Sequence, residues 1–125
     1  MPEFMLLVRN LADHQSSWTA ERHLAFVKQC EVYIGELKSR NQLIAAQPLV
    51  KDGRRVARAS GQWTETPLDP KGLIQVGYYH VVAADADEAA AIARRNPEFE
   101  FSATAEVEVR MIKGSEAQTG FVYPR

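Results

Sequence analysis

The alternation of apolar and polar positions divides the chain into strands and helices. The clearest stretch runs from Gln75 to Arg95, QVGYYHVVAADADEAAAIARR. Val76, Tyr78, Tyr79, Val81 and Val82 are β-branched or aromatic and predict a strand. Asp85 then opens a helix with Glu88 three residues on, a capping box in which each side chain serves an unpaired backbone N–H. Asn96-Pro97 closes that helix, because the residue before a proline is pushed out of the α region. Near the start, Phe4, Leu6 and Val8 alternate with Met5, Leu7 and Arg9. Apolar residues on both faces predict a central strand from Phe4 to Arg9. Asn10 to Gln15 reads as a polar connection. Ser16 or Ser17 is the expected cap of a helix ending near Arg40. Within it His23, Val27, Cys30, Ile34 and Leu37 recur at helical spacing, which predicts a buried stripe, with Phe26 and Tyr33 beside it.

Leu43 to Val50 predicts a second strand, interrupted by Pro48, which belongs at an edge or bulge. Asp52-Gly53 predicts a tight hairpin turn into a third strand, Arg54 to Ser60. Gly61 to Gly72 shows no period and reads as a loop anchored by Trp63. Thr104 to Ile112 alternates again, with Ala105, Val107, Val109 and Met111 opposite Thr104, Glu106, Glu108 and Arg110. Residues 1–113 thus form one domain, followed by a polar tail, 114–125, whose apolar residues Phe121, Val122 and Tyr123 are expected to dock. The order predicts an α+β fold: a ferredoxin-like sandwich, two helices on one face of an antiparallel sheet, with an added hairpin. The other sheet face, with Met5 and Leu7, would be too apolar to stay bare, which predicts a homodimer.

Composition narrows the function classes. The chain has 125 residues, one cysteine and a formal net charge of −1. Near-neutral charge argues against a general nucleic-acid binder. No apolar run reaches a membrane span, and MPEFMLLVRN is too short and too soon charged for a secretory signal. With Cys30 as the only cysteine, a cytoplasmic location is expected.

Several segments together resemble the YCII-related, or DGPF-domain, family. They are FMLLV, RHLAFV, QLIAAQPL, KDGRRV, GYYHVVAADADEAAAIA, and NPEFEF leading into VEVRMI. The resemblance spans Phe4 to Lys113 and implies a dimeric α+β barrel built from two ferredoxin-like units. The family is largely without assigned reactions, and some members are encoded beside sigma factors. The signature Asp-Gly-Pro-Phe falls on Ser60-Gly61-Gln62-Trp63, so the glycine and an aromatic remain and the aspartate and proline do not. Glu65 fits the acidic residue that follows. In some members a histidine in the segment resembling RHLAFV is suspected of catalysis with an acidic partner, and His23 matches it. No motif here supplies that partner.

The candidate chemistry is correspondingly sparse. His23, as a neutral imidazole in a cleft, is the candidate acid–base residue; the bland reading is a core histidine bonded to a backbone carbonyl. Trp63 and Glu65 from the long loop, His80 from the Gln75 strand, and Glu108 and Arg110 from the last strand are candidate ligand contacts. Each has a bland reading too: a loop anchor, a solvent-facing strand histidine, cross-strand ion pairs. Lys51, Arg54, Arg55 and Arg58 read first as charges that discourage stray pairing at an edge. Cys30 on the stripe reads as an inert buried thiol. No metal-ligand spacing, phosphate loop or nucleophile elbow is present, so no metal or cofactor is expected. Two functions stay open. One is a protein that binds a small organic molecule between sheet and helices, with His23 as its acid–base residue. The other is a non-catalytic dimeric module for a ligand or protein partner, such as one linked to transcription regulation.

Overall fold

The computed structural model describes residues 1–124. Its strands are β1 (Glu3–Leu11), β2 (Leu43–Pro48), β3 (Arg54–Ala59), β4 (Gln62–Pro67), β5 (Leu73–Val82) and β6 (Glu106–Met111). Its helices are α1 (Ala20–Ser39), α2 (Ala86–Arg94) and the short α3 (Glu98–Phe101). The architecture is mixed α+β with antiparallel strand pairing throughout. Among the described residues no helix is long and apolar enough to cross a membrane.

The main sheet has the order β2-β5-β1-β6. The strand expected to be central is central, because both its faces carry apolar residues. Phe4, Leu6 and Val8 are buried, and Met5 and Leu7 on the other face are half-covered. β2 and β1 both run antiparallel to β5, so the link through α1 crosses over one strand. The α2–α3 link from β5 to β6 likewise crosses β1. Phe4, Leu6 and Val81 on the sheet meet Tyr33 and Leu37 of α1 and Ala89, Ile92 and Ala93 of α2 in one core. Both helices therefore lie on that face. Each large side chain buried there contributes about 1.5–3 kcal/mol.

Several expectations give way to local chemistry. Asp52-Gly53 does not fold one strand back on its neighbour: β2 pairs with β5 alone, and β3 pairs with β4. The tight turn is Ser60-Gly61, where φ is +50° and +76°. Two successive residues in the left-handed region match the twist of a two-residue hairpin. The expected loop 61–72 consequently contains strand β4, and Trp63 and Glu65 sit on it. Every residue of this ribbon is exposed. The cap of α1 is Thr19, not Ser16 or Ser17; its hydroxyl accepts from the Arg22 N–H at 3.1 Å. The serines are used instead in tight turns between Ala12 and Trp18. Pro97 ends α2 and also opens α3, which no periodicity announced. The tail closes on itself through a bridge between Ser115 and Val122 and a hydrogen bond from the Tyr123 hydroxyl to Glu116. Phe121, Val122 and Tyr123 stay exposed on this chain.

The stripe on α1 has the expected phase but not the expected depth. Tyr33 and Leu37 are buried, Cys30 and Ile34 are half-covered, and Val27 and His23 are exposed. The helix docks by its C-terminal half, and its N-terminal half stands off the sheet.

Candidate functional site

The gap under α1 is a cavity of about 800 Å³. Its walls are mostly apolar, with Val8 and Val76 from the sheet facing Phe26, Val27 and Ile34 from α1. The sheet wall is shaped by a bulge: Val8 pairs with Gly77 and Arg9 with Gln75, leaving Val76 as the extra residue. At 300–1,000 Å³, a mainly apolar cleft holding a few polar groups has the makeup of a small-molecule site.

Two polar groups in the wall come from opposite ends of the chain. His14 lies in the turn between β1 and α1, and Glu98 opens α3. The His14 Nε2 lies 2.8 Å from the Glu98 Oε1, with the two side chains only 9% and 7% exposed. The other ring nitrogen, Nδ1, lies 2.9 Å from the Leu11 carbonyl. A carbonyl accepts only, so Nδ1 carries a proton. Nε2 then faces a carboxylate with no other partner, which favours a proton on Nε2 as well. The approach is off the ring N–H direction, so the contact is an ion pair more than an aligned hydrogen bond.

Burial of the His14 ring disfavours its charged form, but the contact with Glu98 and its charge outweigh this. The Leu11 carbonyl and Asp13 add to the effect, and His14 titrates above the usual histidine range.

Glu98 is held from several sides. The Asn10 amide donates to Oε1 at 2.9 Å, and the Glu98 N–H donates to the Asn96 Oδ1 at 2.9 Å. Asn10 is fully buried, and its Oδ1 accepts from the Leu11 N–H and the Thr104 hydroxyl. An aromatic clamp joins the two segments from outside. Trp18 packs on His14, Phe26 and Phe101 with ring centroids 6.0, 5.3 and 5.7 Å away. The Arg22 guanidinium lies over Trp18 and Phe101 and donates to the Phe101 carbonyl.

Among the described residues, Glu98 Oε2 makes no hydrogen bond. Nor does the Tyr79 hydroxyl, whereas its neighbour Tyr33 donates to the Ile92 carbonyl at 2.7 Å. Burial above all, then Cys30, Tyr33 and Glu98, holds the Tyr79 pKa above its usual value, so the phenol is a donor at neutral pH. Burial, with the Glu98 charge behind it, pushes the Cys30 thiol up to about 11. That thiol lines the cavity as a poor nucleophile.

The residues expected from the sequence lie in three separate places. His23 is at the cavity rim, exposed, its ring 6.2 Å from Trp18. His80 is on the opposite sheet face, 2.7 Å from Glu3. Glu108 and Arg110 are on that same open face, 3.7 Å apart. Trp63 and Glu65 stand on the ribbon, Trp63 under the Arg58 guanidinium and Glu65 3.2 Å from Arg54. Sequence reasoning missed His14, Glu98 and Tyr79 as site residues. Only Glu98 left a signal: an acidic residue directly after the helix-ending Asn96-Pro97. Among the described residues no three His, Cys, Asp or Glu side chains are grouped to hold a metal. No family model and no curated protein matches this chain.

Proposed function

We propose that the protein binds a small organic molecule in the cavity between α1 and the sheet and moves a proton there at the Glu98–His14 pair. One observation carries this: a buried contact between the Glu98 carboxyl and the His14 imidazole in an apolar cavity wall, with one carboxyl oxygen making no hydrogen bond. Two buried charges cost several kcal/mol each to desolvate, and apolar packing would pin α3 to the turn as firmly. Such a pair suits proton transfer, because the carboxylate takes a proton while the imidazolium steadies the charge. On this reading His23 is a rim contact and not the acid–base group. The test is a ligand screen by thermal shift on wild type, His14→Gln and His23→Gln. Hits lost in His14→Gln but kept in His23→Gln support the proposal. Hits indifferent to His14 reject it.

The order β2-β5-β1-β6 with crossovers through α1 and α2–α3 supports a ferredoxin-like assignment. It is compatible with the dimeric barrel that the YCII-related resemblance implies. The free sheet face carries Met5, Leu7, Tyr78 and Val82, all half-covered. That face favours, as a second reading, a dimeric module whose partner-binding surface matters more than its cavity. A reducing, cytoplasmic compartment suits either reading.

A further inference from the structure

Resting on the cavity reading above, the geometry points to a ligand class: we propose an uncharged, largely apolar molecule bearing an acidic hydroxyl, a phenol or an enol. The open Glu98 Oε2 is an acceptor, and the Tyr79 hydroxyl, protonated and unpaired, is a donor. Both residues line the cavity, and a ligand hydroxyl is the group that can give its hydrogen to Oε2 and accept from Tyr79. A carboxylate ligand would face Glu98, and its approach would be opposed by Asp13, Glu31 and Asp52, which line the cavity with Lys51 and the two histidines as the only opposing groups. An ammonium would be drawn by those carboxylates but has no lone pair to accept from the Tyr79 hydroxyl. A neutral hydroxyl escapes the repulsion and can both donate and accept, and the apolar walls take its carbon skeleton.

The proton step balances within the site. The ligand O–H bond breaks, its proton goes to Glu98 Oε2, and the oxyanion keeps the electron pair. The Tyr79 O–H then donates to that oxyanion. Glu98 becomes a neutral acid beside a positive His14, so the charge the ligand gains stays close to a cation.

The experiment uses the whole chain and four probes of one ring system: naphthol, naphthyl methyl ether, naphthoate and naphthylmethylammonium. Affinities are read from ligand-observed NMR. Naphthol is expected to bind about tenfold or more tighter than the ether, which cannot donate. Both charged probes are expected to bind more weakly than naphthol. Naphthol is also a photoacid whose neutral and ionised forms emit at different wavelengths, so the bound probe should show naphtholate emission. Tyr79→Phe should reduce the preference for naphthol over the ether, and Glu98→Gln should abolish the naphtholate emission. The wild-type comparison stands even where a variant fails to fold. Equal binding of naphthol and ether in the cavity overturns the hydroxyl assignment and leaves the cavity reading standing. Tighter binding of either charged probe also overturns it. Failure of all four probes to bind overturns both.

Discussion

Replacing Glu98 by Gln removes one charge from the buried pair at almost constant volume. In wild type the His14 pKa lies above its unfolded value, so the folded chain holds the proton more tightly. That contribution is complete below the unfolded value, about 6.5, and is lost as pH rises through the higher folded value. In the variant the ring has an escape. It stays neutral, keeps its Nδ1 proton on Leu11, and accepts at Nε2 from the new amide. At about pH 8.5 the cost is then one exchanged hydrogen bond and the loss of Oε1 as acceptor for the buried Asn10 amide, about 2 kcal/mol together. At about pH 5 the unfolded ring is protonated and the folded one is not. That adds about 1.4 kcal/mol for each pH unit below the unfolded value, or about 2 kcal/mol. The total of about 4 kcal/mol lies within what breaking a buried pair costs. Wild type also holds its own His14 contribution at the acidic pH, so thermal melts should show the variant losing at least about 8 °C more there, at roughly 4 °C per kcal/mol. Equal losses at both pH values would refute the ion-pair argument. So would a His14 imidazole resonance titrating in the ordinary range in wild type.

Three further outcomes follow from particular contacts. Cys30 should react with a disulfide reagent at a rate that climbs about tenfold per pH unit toward about 11; levelling off near about 8.5, as for a free thiol, would contradict its burial. A Cβ at Gly77 would lie 3.2 Å from the Gln47 carbonyl oxygen and 3.4 Å from the Pro48 Cα. Gly77→Ala should therefore cost about 1–3 kcal/mol in urea melts; an unchanged midpoint would show that β2 yields freely. The free sheet face should bury upwards of about 1,000 Å² in a dimer, and sedimentation as a monomer at tens of micromolar would exclude that pairing.

The fold was legible where one rule acted alone. The Phe4–Val8 alternation and the Asp85–Glu88 cap are local patterns and place β1 and α2 directly. The ribbon was misread because Asp52-Gly53 looks like a hairpin turn, while Ser60-Gly61 has the backbone that makes one. The phase of α1 was legible from its stripe, but its depth was not. Whether His23 and Val27 reach the sheet depends on where the turn and α3 hold the helix N-terminus, and those contacts are tertiary. The site was the least legible part. His14 in a polar connection and Glu98 after a proline are each unremarkable, and only the crossover through α2 and α3 brings them within 2.8 Å.

The most direct measurement is an amide NMR map of the folded chain titrated with a library of small, mainly apolar molecules. If the cavity under α1 is the functional site, the binders should shift the resonances of His14, Cys30, Tyr79 and Glu98 together, and saturably. Shifts gathered instead on Met5, Leu7, Tyr78 and His80 of the open sheet face, or on Val56 and Trp63 of the ribbon, would contradict the account.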